Sequence, residues 1–320
     1  MLAVLAACSP GSANDSRQGV SRSVPMGEFS ADSAYSYVAR QVAFGPRVPG
    51  TASHDSCATW IETRMRAWAD SVIVQKGTVA AFDGTVLPIT NIIAGFNLPQ
   101  TKRILLVAHY DTRPWADRES DPELHNTPIP GANDGGSGTA VLMEIARNLA
   151  RKAPTVGVDI LFVDAEDYGP GETSISDTGF DGWCLGSRYW TQNMIPYGNH
   201  NLPAYGILLD MVGGRDAVFH YEYFSQRDAV TPTVKVWSEA MQLGYENIFC
   251  RQVGGAVNDD HLVITAAGIP TTDIIESNSK STGSFPDTWH TLDDNLENID
   301  PDVLDAVGKT VLNVVYKERP

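Results

Sequence analysis

The chain is short of positive charge, of cysteine and of long apolar runs, and each shortage removes a class of function. Its 320 residues hold 23 Lys and Arg against 39 Asp and Glu, a net charge of −16. A field of that sign repels nucleic acid and anionic lipid and favours cationic or neutral ligands, free amino termini of peptides among them. No stretch of eighteen apolar residues occurs, which excludes a membrane-spanning helix. There are four cysteines and none has CxxC spacing, so the pattern argues against a thiolate metal centre.

The length suits one large α/β unit with functional insertions. Residues 1–25 read as a signal remnant and linker, and 26–320 as a single catalytic domain. The opening MLAVLAACSPGSANDS is a short apolar run, then small residues, then a cysteine. Leu5-Ala6-Ala7-Cys8 resembles the lipobox of bacterial lipoproteins, whose cysteine is lipidated. This predicts an extracytoplasmic protein of the periplasm or cell envelope, tied to a membrane only through lipid on Cys8. Cys57, Cys184 and Cys250 then remain, enough for at most one disulfide.

After the tail, residues 31–69 predict helix, Gly/Pro turn, helix, with Trp60, Met65 and Trp68 near helical spacing. Four apolar runs follow: KRILLVAHYD, VDILFVDAED, YGILLDMVGG and PTTDIIE. They are short, rich in Ile, Leu and Val, and do not alternate, as expected of strands buried on both faces of a mostly parallel sheet. Between the first two lies GGSGTAVLMEIARNLARK, a helix with Val141, Ile145 and Leu149 on one face. The expected fold is a three-layer α-β-α sandwich around a central mixed, mostly parallel twisted sheet.

What is present at the ends of these runs is acid. His109 and Asp111 close the first, Glu166 and Asp167 the second, Asp210 the third and Glu276 the last. In open parallel sheets ligands bind at the carboxyl ends of the strands, so one edge collects these groups with no Lys or Arg among them. Such a cluster calls for a cation. Zinc takes imidazole and carboxylate, usually three protein ligands with a fourth position open. The candidates are His109, Asp134, Glu166, Asp167, Asp210 and His290. Asp134, in PGANDGGSG, also reads as a helix N-cap. Glu166 and Asp167, adjacent and mutually repelling, suggest a base and a ligand.

The segments HYDTRPWAD, GANDGGSG, VDAEDYG, WCLGSRYW, LLDMVGG, NDDH and FPDTWHTLDDNLENID, in that order, resemble the zinc-dependent glutaminyl-peptide cyclotransferases, and most of all their bacterial members. The similarity runs from about residue 30 to the C-terminus. It implies a single zinc on Asp134, Asp167 and His290, Glu166 as proton-shuttling base, Asp210 and Asp259 hydrogen-bonding the leaving amide, and Trp289 as a wall of the substrate pocket. The implied substrates are peptides or proteins with N-terminal glutamine. The carboxylates of Asp293 and Asp294 are expected to orient His290 or its loop.

The same fold and ligand positions occur in zinc aminopeptidases, where His109, Asp210 and a bridging Asp134 would hold a second metal, with Asp111 close by. A non-catalytic domain of this fold is the third reading. The insertions 113–131 and 169–184 are expected to rim the crevice, and His125, His200 and His220 to be solvent-facing or hydrogen-bonded.

Overall fold

The apolar runs form one sheet, and its strand order explains why their ends converge. The computed structural model describes residues 26–171, 182–198 and 200–320. The Cys8 tail and residues 172–181 of the second insertion lie outside them. In chain order the strands are β1 (Ser71–Ala80), β2 (Val86–Phe96), β3 (Arg103–His109), β4 (Gly157–Val163), β5 (Gly206–Leu209), β6 (Phe219–Tyr221), β7 (Phe249–Val253) and β8 (Thr271–Ile274). The main sheet has the order β1-β2-β4-β3-β5-β8, and β6 and β7 pair separately. β2 runs antiparallel to β1 and β4, whereas β4, β3, β5 and β8 are mutually parallel neighbours. The four runs are therefore the parallel half of a mixed sheet, and their carboxyl ends share one edge.

The helices are α1 (Ala31–Val42), α2 (Ala52–Trp68), α3 (Gly136–Arg151), α4 (Leu185–Thr191), α5 (Tyr223–Asp228), α6 (Val230–Leu243), α7 (Asp260–Ala266) and α8 (Pro301–Lys317). Side chains alternate across a strand, and β3 divides accordingly. Ile104, Leu106 and Ala108 join a core supplied by α1, α2, α3, α6 and α8. Leu105 and Val107 join a second one with Trp190 and Ile264, from α4 and α7. Three layers result, as the sequence predicts. The predicted helix pair is α1 and α2, capped by Ser30 and Thr51. Met65 is buried, and Trp60 and Trp68 pack their rings 6.2 Å from Tyr37. Among the described residues no helix is long and apolar enough to cross a membrane.

One helix is buried well beyond its predicted face. Val141, Ile145 and Leu149 are buried, but so is nearly every other residue of α3. The reason is position: α3 lies on β3, β4 and β5 and is roofed by α1, α2 and α8, so it has almost no solvent face. Its first turn presses on the sheet, and a Cβ on Gly138 would stand 2.1 Å from the Leu209 carbonyl oxygen. Helix propensity alone favours Ala over Gly by up to about 1 kcal/mol. Overpacking against a backbone that cannot yield costs about 1–3 kcal/mol, so the clash wins. Gly138→Ala is expected to lower the urea midpoint, with a net loss of about 1 kcal/mol. An unchanged or raised midpoint would show that α3 does not press on β5 this closely.

Candidate active and metal site

Each functional side chain is delivered by a strand end or by the turn after one. β3 ends at His109, and Asp111 follows it. The Asp111 carboxylate accepts the amides of Glu166 at 3.1 Å and Asp167 at 3.2 Å, and so fixes the turn after β4 in which Ala165 takes a φ of +47°. Asp111 also lies 3.4 Å from His109 Nδ1. It is an organiser of two strand ends.

Asp134 comes from the loop that enters α3. The helix is capped by Gly135 with no side-chain hydrogen bond, so Asp134 is not an N-cap. A Cβ on Gly135 would stand 2.5 Å from the His109 carbonyl oxygen, which is why glycine follows Asp134 where the loop meets β3. The loop is held from behind by Asp294, whose oxygens accept Asn133 N at 2.7 Å and Asp134 N at 3.1 Å. Burial, and then the Asp134 charge, push the Asp294 carboxyl up to about 7. Of the two acids after His290, Asp294 therefore orients the Asp134 loop. Neither orients the imidazole.

That task falls to Asp117, which sequence reasoning missed. His290, at φ +57°, has Nδ1 3.2 Å from Asp117 Oδ1 and Nε2 3.3 Å from Asp167 Oδ1 and 3.8 Å from Asp134 Oδ2. Burial would raise the Asp117 carboxyl, but hydrogen bonds with Arg113 and His290 hold it well below the usual carboxylate range. Arg113 binds Asp117 at 2.8 and 2.7 Å and reaches Asp167 Oδ1 at 3.3 Å. Both new residues lie in HYDTRPWAD, the segment that carries His109, and that neighbourhood is the signal that could have found them.

Asp134, Asp167 and His290 thus bring one ligand atom each within 4.8 Å of one another, all buried. Asp167 Oδ2 is buried with no hydrogen-bond partner among the described residues. A buried carboxylate oxygen left so is costly, and a cation bound by the three side chains would satisfy it. The residues fit a tetrahedral metal with one open position. Asp134 is shared with a second group, in which His109 Nε2 lies 3.1 Å from both Asp134 Oδ1 and Asp210 Oδ1.

Glu166 belongs to neither group. It faces Asp259 and Cys184, and burial, then the Asp259 charge, raise its carboxyl well above the ordinary value. Asp259 caps α7 by accepting the Asp260 amide. Behind it, His261 has Nε2 3.1 Å from Glu222 and Nδ1 3.4 Å from Asp273. Glu222 also accepts Val257 N at 3.0 Å, which anchors the loop carrying Asp259. Burial and the Asp210 charge push the Asp259 carboxyl up to about 7.

A cavity of about 210 Å³ is lined by Asp134, Glu166, Asp167, Asp210, Asp259 and His290, with Trp183, Met211, Val257, Ile275, Phe285 and Trp289 among its apolar walls. Trp289 stacks on His290 at 3.8 Å and meets Phe285 at 4.4 Å. Glu276 does not line the cavity, although it follows β8. His125 hydrogen-bonds the Glu119 carbonyl, His200 is exposed and His220 half-buried. Cys57, Cys184 and Cys250 are unpaired.

Residues 91–315 match the model of peptidase family M28. Among solved structures, a Bacteroides thetaiotaomicron glutaminyl cyclase with N-acetylhistamine bound is 46% identical, with a TM-score of 0.87, covering 91% of this chain and 99% of that one. A zinc-dependent exopeptidase from Parabacteroides distasonis is 48% identical at a TM-score of 0.87, with the same coverage of 91% and 99%. The bovine glutaminyl-peptide cyclotransferase is 24% identical over 260 residues, covering 72% of this chain and 66% of its own length.

Outer hydrogen bonds to a metal-binding imidazole typically govern affinity by about 10–100-fold. Asp117→Asn is expected to weaken zinc binding within that range while leaving the circular dichroism spectrum unchanged. The measurement is competition with a chromophoric chelator; an affinity within threefold of wild type would remove Asp117 from this role.

Proposed function

The chain belongs to peptidase family M28, and from that premise we propose that it is a glutaminyl-peptide cyclotransferase, converting N-terminal glutamine of peptides to pyroglutamate with release of ammonia. The observation that carries the reading is the position of Glu166. It is a buried carboxylate that belongs to neither the Asp134–Asp167–His290 group nor the His109–Asp134–Asp210 group, and it opens on the same cavity as Asp134, Asp167, His290 and the Trp289 ring.

In this reaction the substrate α-amine attacks its own γ-amide carbon. One C–N bond forms, one breaks, ammonia leaves and no water is consumed. Nucleophile and electrophile belong to one residue, so holding the folded conformer is worth up to about 7–11 kcal/mol. The Trp289 and Phe285 walls confine it. Glu166 takes the proton from the attacking amine and returns it to the departing nitrogen, while Asp210 and Asp259 hold the leaving amide through hydrogen bonds. Asp134, Asp167 and His290 would hold one zinc ion, which when bound supplies Lewis acidity toward the γ-carbonyl. The net charge of −16 favours a cationic amino terminus at the cavity mouth.

A second reading is favoured by one observation: His109 and Asp210 face Asp134 as a second metal's ligands would in an aminopeptidase. Glu166 would then activate water for hydrolysis. Incubating the purified protein, with and without chelator, with one peptide beginning Gln and one beginning Leu separates the two. Expected is chelator-sensitive loss of ammonia from the Gln peptide alone, abolished by Glu166→Gln with zinc content retained. Release of the first residue from either peptide would replace the cyclase by a hydrolase.

The Leu5–Cys8 segment further supports an extracytoplasmic chain lipidated at Cys8. Mass spectrometry of the N-terminal peptide from the membrane fraction should find the lipid; an unmodified terminus there would overturn it.

A further inference from the structure

The carboxylate assigned as base is itself held by a group that no reading of the reaction includes. Among the described residues the one side-chain hydrogen bond to Glu166 comes from Cys184, whose Sγ donates to Oε1 at 3.4 Å. The contact is built into the backbone. Cys184 stands immediately before α4 at φ +58°, a left-handed conformation that costs energy for a non-glycine residue. There its amide donates to the Glu166 carbonyl at 3.0 Å, and the Leu185 amide to the Ala165 carbonyl at 3.1 Å. The start of α4 is thus zipped to the turn that carries the base.

The environment sets the chemistry of the sulfur. Cys184 is fully buried, and burial, then the Glu166 charge, push its thiol well above the ordinary value. It stays an S–H donor, neither a nucleophile nor a thiolate ligand. Glu166, Cys184 and Asp259 place their polar atoms within 4.8 Å of one another, yet Cys184 is not among the residues lining the cavity. It reaches the reaction only through Glu166.

We propose that Cys184 is a positioning residue: its S–H holds one oxygen of the Glu166 carboxylate, so that the carboxylate meets the substrate nitrogen in one orientation. The proposal rests on the reading of Glu166 as the base. A thiol is a weak donor, but its acceptor is a carboxylate oxygen and the pair is dry. Loss of the bond is expected to lower kcat about tenfold with little change in KM, because the sulfur does not touch substrate.

The test uses the zinc-loaded full chain and a Gln-initial peptide, with wild type, Cys184→Ala and Cys184→Ser. Cys184→Ala should lose about tenfold in kcat with KM within twofold, and Cys184→Ser, which keeps a donor, should recover to within about threefold of wild type. Equal loss in both variants, or none in Cys184→Ala, would overturn the proposal while leaving the cyclase reading standing. A wild type that does not cyclise would overturn both. Should Cys184→Ala not fold, the infrared S–H stretch of the wild type decides, assigned by its absence from Cys184→Ser. A band lowered by hydrogen bonding that rises in Glu166→Gln supports the bond, and a band at the free-thiol frequency in both refutes it.

Discussion

The architecture is organised around a concentration of buried negative charge that the protein alone does not balance. Asp111, Asp134, Glu166, Asp167, Asp210, Asp259, Asp260 and Asp273 are all buried around one sheet edge. Arg113 reaches Asp167 and Asp117 but none of the others. Carboxylates in so dry a space either take up protons or share a cation. Both outcomes are distributed spatially: Asp259 and Asp260 are pushed up to about 7 and about 8 by burial and by neighbouring acids, while Asp134, Asp167 and His290 converge as a metal's ligands would. One cluster therefore sets acids whose burial favours protonation beside a group arranged to hold a cation, with Glu166 between them.

Holding such a cluster together requires a frame that does not relax, and the frame is made of backbone hydrogen bonds to carboxylates. Asp111 pins two amides of the β4 turn, Asp294 two amides of the Asp134 loop, and Glu222 the amides of Phe224, Ser225 and Val257. In each case an acid outside the cavity lining orients the loop that carries one of the candidate site acids. Left-handed backbone at Ala165, Cys184, Met211 and His290 is the accompanying strain at the site.

The sheet was legible in the sequence because buried parallel strands are continuous apolar runs, and Glu166, Asp167 and Asp210 were legible because they close such runs at the ligand edge, whereas Asp134, Asp259, Trp289 and His290 were given their roles through the family resemblance. The supporting residues were not legible. Cys184, Arg113 and Asp117 act through contacts with Glu166, Asp167 and His290, which lie 18, 54 and 173 positions away along the chain, and apart from the place of Arg113 and Asp117 beside His109 nothing local distinguishes them from ordinary loop residues. Asp293 and Asp294 illustrate the limit: the sequence places both beside His290, but only three dimensions show Asp294 turned to the Asp134 loop and the imidazole served by Asp117. The nearly complete burial of α3 has the same origin. Periodicity reports that a helix has an apolar side, not that other helices cover the rest.

The shared carboxylate, Asp134, makes the number of cations a question of charge. His109 lies among Asp111, Asp134 and Asp210. Burial alone would lower its pKa, but the Asp210 charge and hydrogen bonds with all three acids hold it well above the ordinary imidazole value. Protonated, it supplies to Asp134 and Asp210 the positive charge that a second metal would otherwise supply; neutral, it offers Nε2 to such a metal. The imidazolium and the second cation are alternatives for the same two oxygens. A chain carrying the complete ligand set of a two-metal hydrolase is thus compatible with one-metal chemistry without losing a residue, which is why residue identity alone does not separate the two activities.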